Sequence, residues 1–206
     1  TLAAHGQNLS AGAAGFQAAN LDLSGSLTSA QALSLAAGSV DLHSAEVVSA
    51  GPLQLRSSGP VDSRKAVMSA GLLDLQAGSL DNTEGELLQT GQADTQFVLS
   101  GNLTNTRGRI ATNGANVRLD ALTLNNTAGR IEHAGSGSLQ LRGQAFSGVD
   151  GQLTSNGFLN LAASRVDLDT ARTTADRVSI VADVIHHHGA DLRQTGSGAG
   201  AITTSG

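Results

Sequence analysis

The chain of 206 residues contains no Cys, no Trp and no Tyr, with two Pro, one Met and four Phe. Without Cys it forms neither a disulfide framework nor a thiolate metal site. Aromatic residues at 2% leave little of the bulk that ordinary cores and ligand pockets use, which disfavours a compact enzyme. They also leave few stacking platforms for bases. A net charge of −5 opposes attraction to phosphate, so no nucleic-acid partner is expected. No apolar run approaches the ~20 residues of a membrane helix, so no membrane-spanning segment is expected. The chain starts at Thr1 without an initiator Met or a signal peptide, the pattern expected of a piece of a longer protein.

What is present is repetition. SAQALSLAAGSVDLHSAEVV begins at Ser29, SAGPLQLRSSGPVDSRKAVM at Ser49 and SAGLLDLQAGSLDNTEGELL at Ser69. A looser copy begins at Ser10, and later ones start near Gln89, Thr112, His133, Ser155 and Asp176. One rule aligns them: an apolar anchor is followed by apolar residues 5 and 12 positions on. Leu35, Val40 and Val47 obey it, as do the sets that start at Leu75, Val98, Leu119, Leu141 and Ile180. Copies anchored at Phe16, Leu55 and Leu161 bend it, through Leu27 or Thr28, Pro60 or Val61 with Val67, and Thr173. A further apolar residue two before most anchors adds the period-two alternation of a half-buried strand. Each copy reads as two or three short strands joined by tight turns. A unit this short buries its apolar face only by stacking on its neighbours. The expected fold is all-β: a right-handed parallel β-helix of about nine rungs of 19–23 residues. Residues 10–193 form the helix, with 1–9 and 194–206 as partial or low-complexity edges.

The middle copies share a turn. Asn82, Asn105 and Asn126 each lie two residues after an inward Leu, and Gly85, Gly108 and Gly129 five residues after it. Both residue types tolerate φ > 0, which is expected to be their use at a corner. Stacked Asn amides are also expected to bond up the rod.

At these residues the chain resembles a known family. LTNTRGRIATNGANVRLDALTLNNTAGRIEHAGSGSLQL, from Leu103 to Leu141, is similar to the haemagglutinin repeats of filamentous haemagglutinin-like exoproteins, long bacterial surface proteins exported by two-partner secretion. The resemblance spans about Ser10 to Leu192, and copies outside Ser69–Ser155 lack the Asn-x-x-Gly turn. It implies an extended secreted shaft at the bacterial cell surface, carried by an adhesin or by a stalk of contact-dependent growth inhibition. An outer-membrane two-partner-secretion transporter is the implied export partner. A host or neighbouring-cell receptor or glycan is the implied contact, and the segment is a monomer within a longer chain.

Several residues have side chains suited to chemistry. His186, His187 and His188 supply imidazoles, the commonest metal ligands, but adjacent strand residues point to opposite sides and the tract follows an inward Ile185. It reads as a corner. Asp167 and Asp169, with Arg165, fall on one strand face in the spacing of an acid–base pair, as in β-helix enzymes that cleave polysaccharides. Few insertions exist to build a cleft, so a solvent face is expected. Gly196 to Gly200 match no phosphate loop. Asn8, Asn102 and Asn125 fit Asn-x-Ser/Thr but read as turn residues. Arg107, Arg109 and Arg130, with Glu84 and Glu86, fall near one turn of successive rungs, as a solvated edge or an acidic-glycan face. No residue is assigned as catalytic, cofactor-binding or metal-ligating, no cofactor is expected, and the reading is a structural or adhesive shaft rather than an enzyme.

Overall fold

The computed structural model describes residues 1–204, so the last two residues of the expected 194–206 edge lie outside the described residues. The chain forms a single parallel β-solenoid. Every strand pairs in parallel with the strand one rung before or after it, from Leu2–Ala3 to Ala201–Thr204. The alternation of Leu, Ile and Val with Ser, Gln, Asp and Arg dictates this, since one side of each strand must leave water. The apolar side meets its copies in three interior columns, one per face.

On the first face the column runs Phe16, Leu35, Leu55, Leu75, Phe97, Leu119, Leu141, Leu161, Ile180 and Ile202. On the second it runs from Leu2 through Leu21, Val40, Val61, Leu80, Leu103, Leu124, Phe146 and Val166 to Ile185. On the third, Asn8 is followed by Thr28, Val47, Met68, Leu87, Ile110, Ile131, Leu153, Thr173 and Leu192. Among the described residues there are ten turns rather than nine, because Leu2 and Asn8 add second- and third-face strands below Leu21 and Thr28, and Ile202 adds a first-face strand on top of Ile180. At ~4.8 Å per rung the stack is roughly 45 Å long. A fully buried Leu, Ile or Val contributes about 1.5–3 kcal/mol, so stability accumulates rung by rung.

Two expected interior residues are not interior. Val98 is only half-buried, and its neighbour Phe97 holds the column at 1% exposure. Val67 is 40% exposed while Met68 is fully buried. The cause is the same in both rungs. Six residues instead of five separate Phe97 from Leu103 and Leu55 from Val61, so one extra corner residue flips the parity. At the bent copy near Ser24 the buried residue is Thr28, not Leu27. The Ser26 hydroxyl lies 3.1 Å from the Thr28 hydroxyl, which satisfies both.

Candidate functional site

The corner between the second and third faces is the most regular part of the molecule. A backbone bond closes the turns from Leu23 to Ala190, from the N–H of Gly85 to the carbonyl of Asn82, for example, at 3.0 Å. The third residue of each turn is left-handed: Gly6, Gly25, Ser44, Lys65, Glu84, Arg107, Ala128, Asp150, Thr170 and Gly189 stand in one column with φ between 53° and 92°. The expectation that Asn and Gly provide the positive φ is therefore overturned. The left-handed residues of the middle rungs are Glu84, Arg107 and Ala128, one position before each Gly.

Asn82, Asn105 and Asn126 instead turn inward and are fully buried. The Asn82 amide donates to Asn105 Oδ1 at 2.7 Å, and the Asn105 amide to Asn126 Oδ1 at 2.7 Å, as expected of a ladder. Each amide also reaches backbone carbonyls, Asn105 those of Gly108 at 3.3 Å and Arg130 at 3.1 Å. The glycines are there for space. A Cβ on Gly108 would sit 2.2 Å from the Asn82 carbonyl oxygen and 2.6 Å from Asn105 Oδ1. In the rungs directly beside these, Ser63 and Gly148 replace Asn, with Ala66 and Gly151 three positions on; further out Leu23, Leu42 and Leu168 replace Asn, and Ser26, Ala45 and Ala171 replace Gly.

The corner between the third and first faces carries a second buried polar column, which the sequence reading missed. Gln89, Thr112, His133 and Ser155 lie two residues after the apolar residues of the third face, in register. Gln89 Nε2 donates to the carbonyls of Gly91 and Ala93, and its Oε1 accepts from the Leu73 N–H and the Thr95 hydroxyl. It thereby ties down the loop Thr90–Asp94. Gln194 holds the Gly196–Gly200 loop in the same way, through the carbonyls of Gly196 and Gly198. His133 Nε2 faces the Gly114 carbonyl at 3.0 Å, which assigns the neutral tautomer with Nε2 protonated, and Nδ1 meets the Ser155 hydroxyl at 2.9 Å. Burial pushes the His133 imidazole below its ordinary range, against the two carbonyls of Gly114 and Ala115, which favour the proton.

On the outer surface Asp167, Asp169 and His186 each bring one donor atom to within 4.8 Å of the others. The two separate candidates of the sequence, the carboxylate pair and the imidazole tract, thus meet across one rung boundary, since Asp167 pairs directly with His186. Arg165 pairs instead with Val184, on the same strand. His187 turns towards the end of the core beside Leu168 and Ile185.

The haemagglutinin repeat model matches residues 9–62, 48–106, 69–139 and 134–206. The chain belongs to the haemagglutinin-repeat family. It is also 33% identical over 192 residues to the protein named Toxin CdiA from Yersinia pestis, covering 88% of this chain. The chain spans 6% of the length of that relative. No solved structure matches it.

In this haemagglutinin-repeat segment the other candidates bond to neighbouring residues of the ladder. Asn8 donates to the Ala4 carbonyl and the Thr28 hydroxyl, Asn102 accepts from the Thr123 hydroxyl, and Asn125 accepts from the Thr127 N–H. Arg107 pairs with Glu84 one rung earlier at 2.7 Å, and the two stand in the left-handed column. Arg109 lies beside Glu86 in the ladder but forms its ion pair with Glu132 on the following rung, at 2.7 Å. Polar grooves of ≈ 470 and ≈ 430 Å³ flank the corner loops of the middle rungs, one along Asp94, Asn116 and Arg118 and the other along Gln92, Asn113 and Ser136. The groove residues carried no signal in the sequence, because hydroxyls and amides at a corner look like any turn.

Proposed function

We propose that this haemagglutinin-repeat segment is a shaft in a large secreted exoprotein, which holds a distal binding or toxin module away from the bacterial surface. The observation that carries this reading is the three unbroken interior columns over ten turns, in which each rung buries the next. Such a stack grows in length and stiffness without changing its cross-section. Export through an outer-membrane two-partner-secretion transporter fits a chain without Cys, since no disulfide forms before or during passage. The likeness to a CdiA protein favours a toxin-carrying parent over a simple adhesin. Contacts with a receptor or glycan would be distributed along the faces, with the polar grooves of the middle rungs as the places to meet them.

The test is a pair of deletions in the parent protein. Removing residues 98–119 joins Phe97 to Asp120, where Leu119 stood in register with Phe97. The shaft reading expects surface display and delivery to survive this loss of one whole rung. Removing residues 98–108 breaks the register and should abolish both. Equal loss of function from the two deletions would show that particular residues, not length, do the work.

A further inference from the structure

We propose that Asp167, Asp169 and His186 form a binding site for a divalent transition-metal ion of the Zn²⁺ class. The rung register creates the constellation. Asp167 ends its strand directly beside His186 of the next rung, and Asp169 follows two residues later on the turn. One donor atom from each lies within 4.8 Å of the other two, close enough for one ion to be reached by all three.

Both carboxylates are already oriented. Asp167 Oδ1 accepts the Asp169 N–H at 3.2 Å, and Asp169 Oδ1 accepts the His188 N–H at 2.6 Å. Each therefore has its second oxygen left for an ion, and a backbone donor fixes its direction, as partners of metal-ligating carboxylates do.

Other carboxylates of the same column have different neighbours. Asp22 lies 3.5 Å from His5, Asp62 pairs with Arg64, and Arg64 also approaches Asp81 at 3.9 Å. Among the described residues neither Asp167 nor Asp169 has an Arg or Lys within ion-pair distance. This rung places imidazoles there: His186 beside Asp167 and, by the same register, His188 beside Asp169. Two uncompensated carboxylates with imidazole form a mixed nitrogen and oxygen set. Such a set suits Zn²⁺ and its neighbours, whereas Ca²⁺ takes six to eight oxygens.

The experiment is calorimetric titration of Zn²⁺ alone into the whole 206-residue chain near neutral pH. The expected result is one saturable ion per chain. The double variant Asp167→Asn with Asp169→Asn retains an oxygen for each backbone N–H and so should keep the fold, checked by circular dichroism, but weaken binding by roughly tenfold or more. His186→Gln should do the same, and His43→Gln should leave binding unchanged. Undiminished Zn²⁺ affinity in the Asp double variant would overturn the proposal, since the histidine tract alone would then be the ligand. So would Ca²⁺ binding as tightly as Zn²⁺, or no saturable Zn²⁺ binding at all.

Discussion

The middle and outer rungs make the same turn by opposite chemistries. In three of the outer rungs the inward corner residue is Leu23, Leu42 or Leu168, backed by Ser or Ala three positions on, while Ser63 and Gly148 hold the corner in the rungs next to the Asn ladder. In the middle rungs it is Asn, backed by Gly. The backbone is the same in both, down to one left-handed residue per turn. What differs is how the space is filled. A Leu fills it by contact alone and leaves room for a Cβ three positions on. An Asn must satisfy its amide, and it does so by reaching the next Asn and two carbonyls, which bring its Oδ1 to within 2.6–2.7 Å of where that Cβ would be. Asn and Gly are therefore one unit, while Leu stands with Ser or Ala.

Breaking the unit at Gly should have the largest effect. Gly129→Ala places a Cβ 2.1 Å from the Asn105 carbonyl oxygen, and backbone cannot give way cheaply, so a loss of about 3 kcal/mol in denaturant unfolding is expected. Ala45→Gly in a Leu rung should cost only about 1 kcal/mol by comparison. Asn105→Leu puts outer chemistry into the middle. It removes the partners of Asn82 and Asn126 and should cost about 2 kcal/mol, because buried polar groups are left unpaired. The left-handed column sharpens the comparison from the other side. Ala128→Gly relieves an L-residue at φ 53° without touching the ladder and should raise stability by about 1 kcal/mol.

The smallest expected effect is a pH dependence confined to the other polar corner. The folded-state pKa of His133 is lowered by burial, so the neutral imidazole is the stabilising form. Its contribution is complete above the ordinary histidine range near 6.5 and is lost as pH falls through the lower folded-state value. Unfolding midpoints of the native chain should therefore drop over this window more than those of His133→Gln.

The interior columns were largely legible in the sequence because a spacing of 5 and 12 residues between interior positions survives seven of nine copies of variable turns. Leu35, Leu75, Leu119 and Leu141 all hold the positions that spacing assigns. It failed where a corner gained a residue. Phe97, Val98 and Leu99 are apolar in succession, so alternation offered no way to choose among them, and only the stacked partner Leu75 selects Phe97. The Asn-x-x-Gly signature and its ladder of amides were visible, but the left-handed position in the turn was not. A local rule assigns positive φ to Asn and Gly, while the neighbouring rung decides that these residues fill space and leave it. The column through Gln89, Thr112 and His133 was hidden because polar residues two after an apolar one look solvated until a loop folds over them. Asp167 and His186 lie 19 positions apart in sequence, and only the rung register makes them neighbours.

Register is also what a single chemical measurement tests best, since the chain has no Cys of its own. Ser34 and Gln54 are exposed partners in adjacent rungs. Cysteines at both should close a disulfide under mild oxidation without loss of the folded circular dichroism signal, because paired strands lie within the Cα separation such a bond spans. Cysteines at Ser34 and Arg56, two positions out of register, should not. Cross-linking of the offset pair in preference to the paired one would contradict the stacked columns.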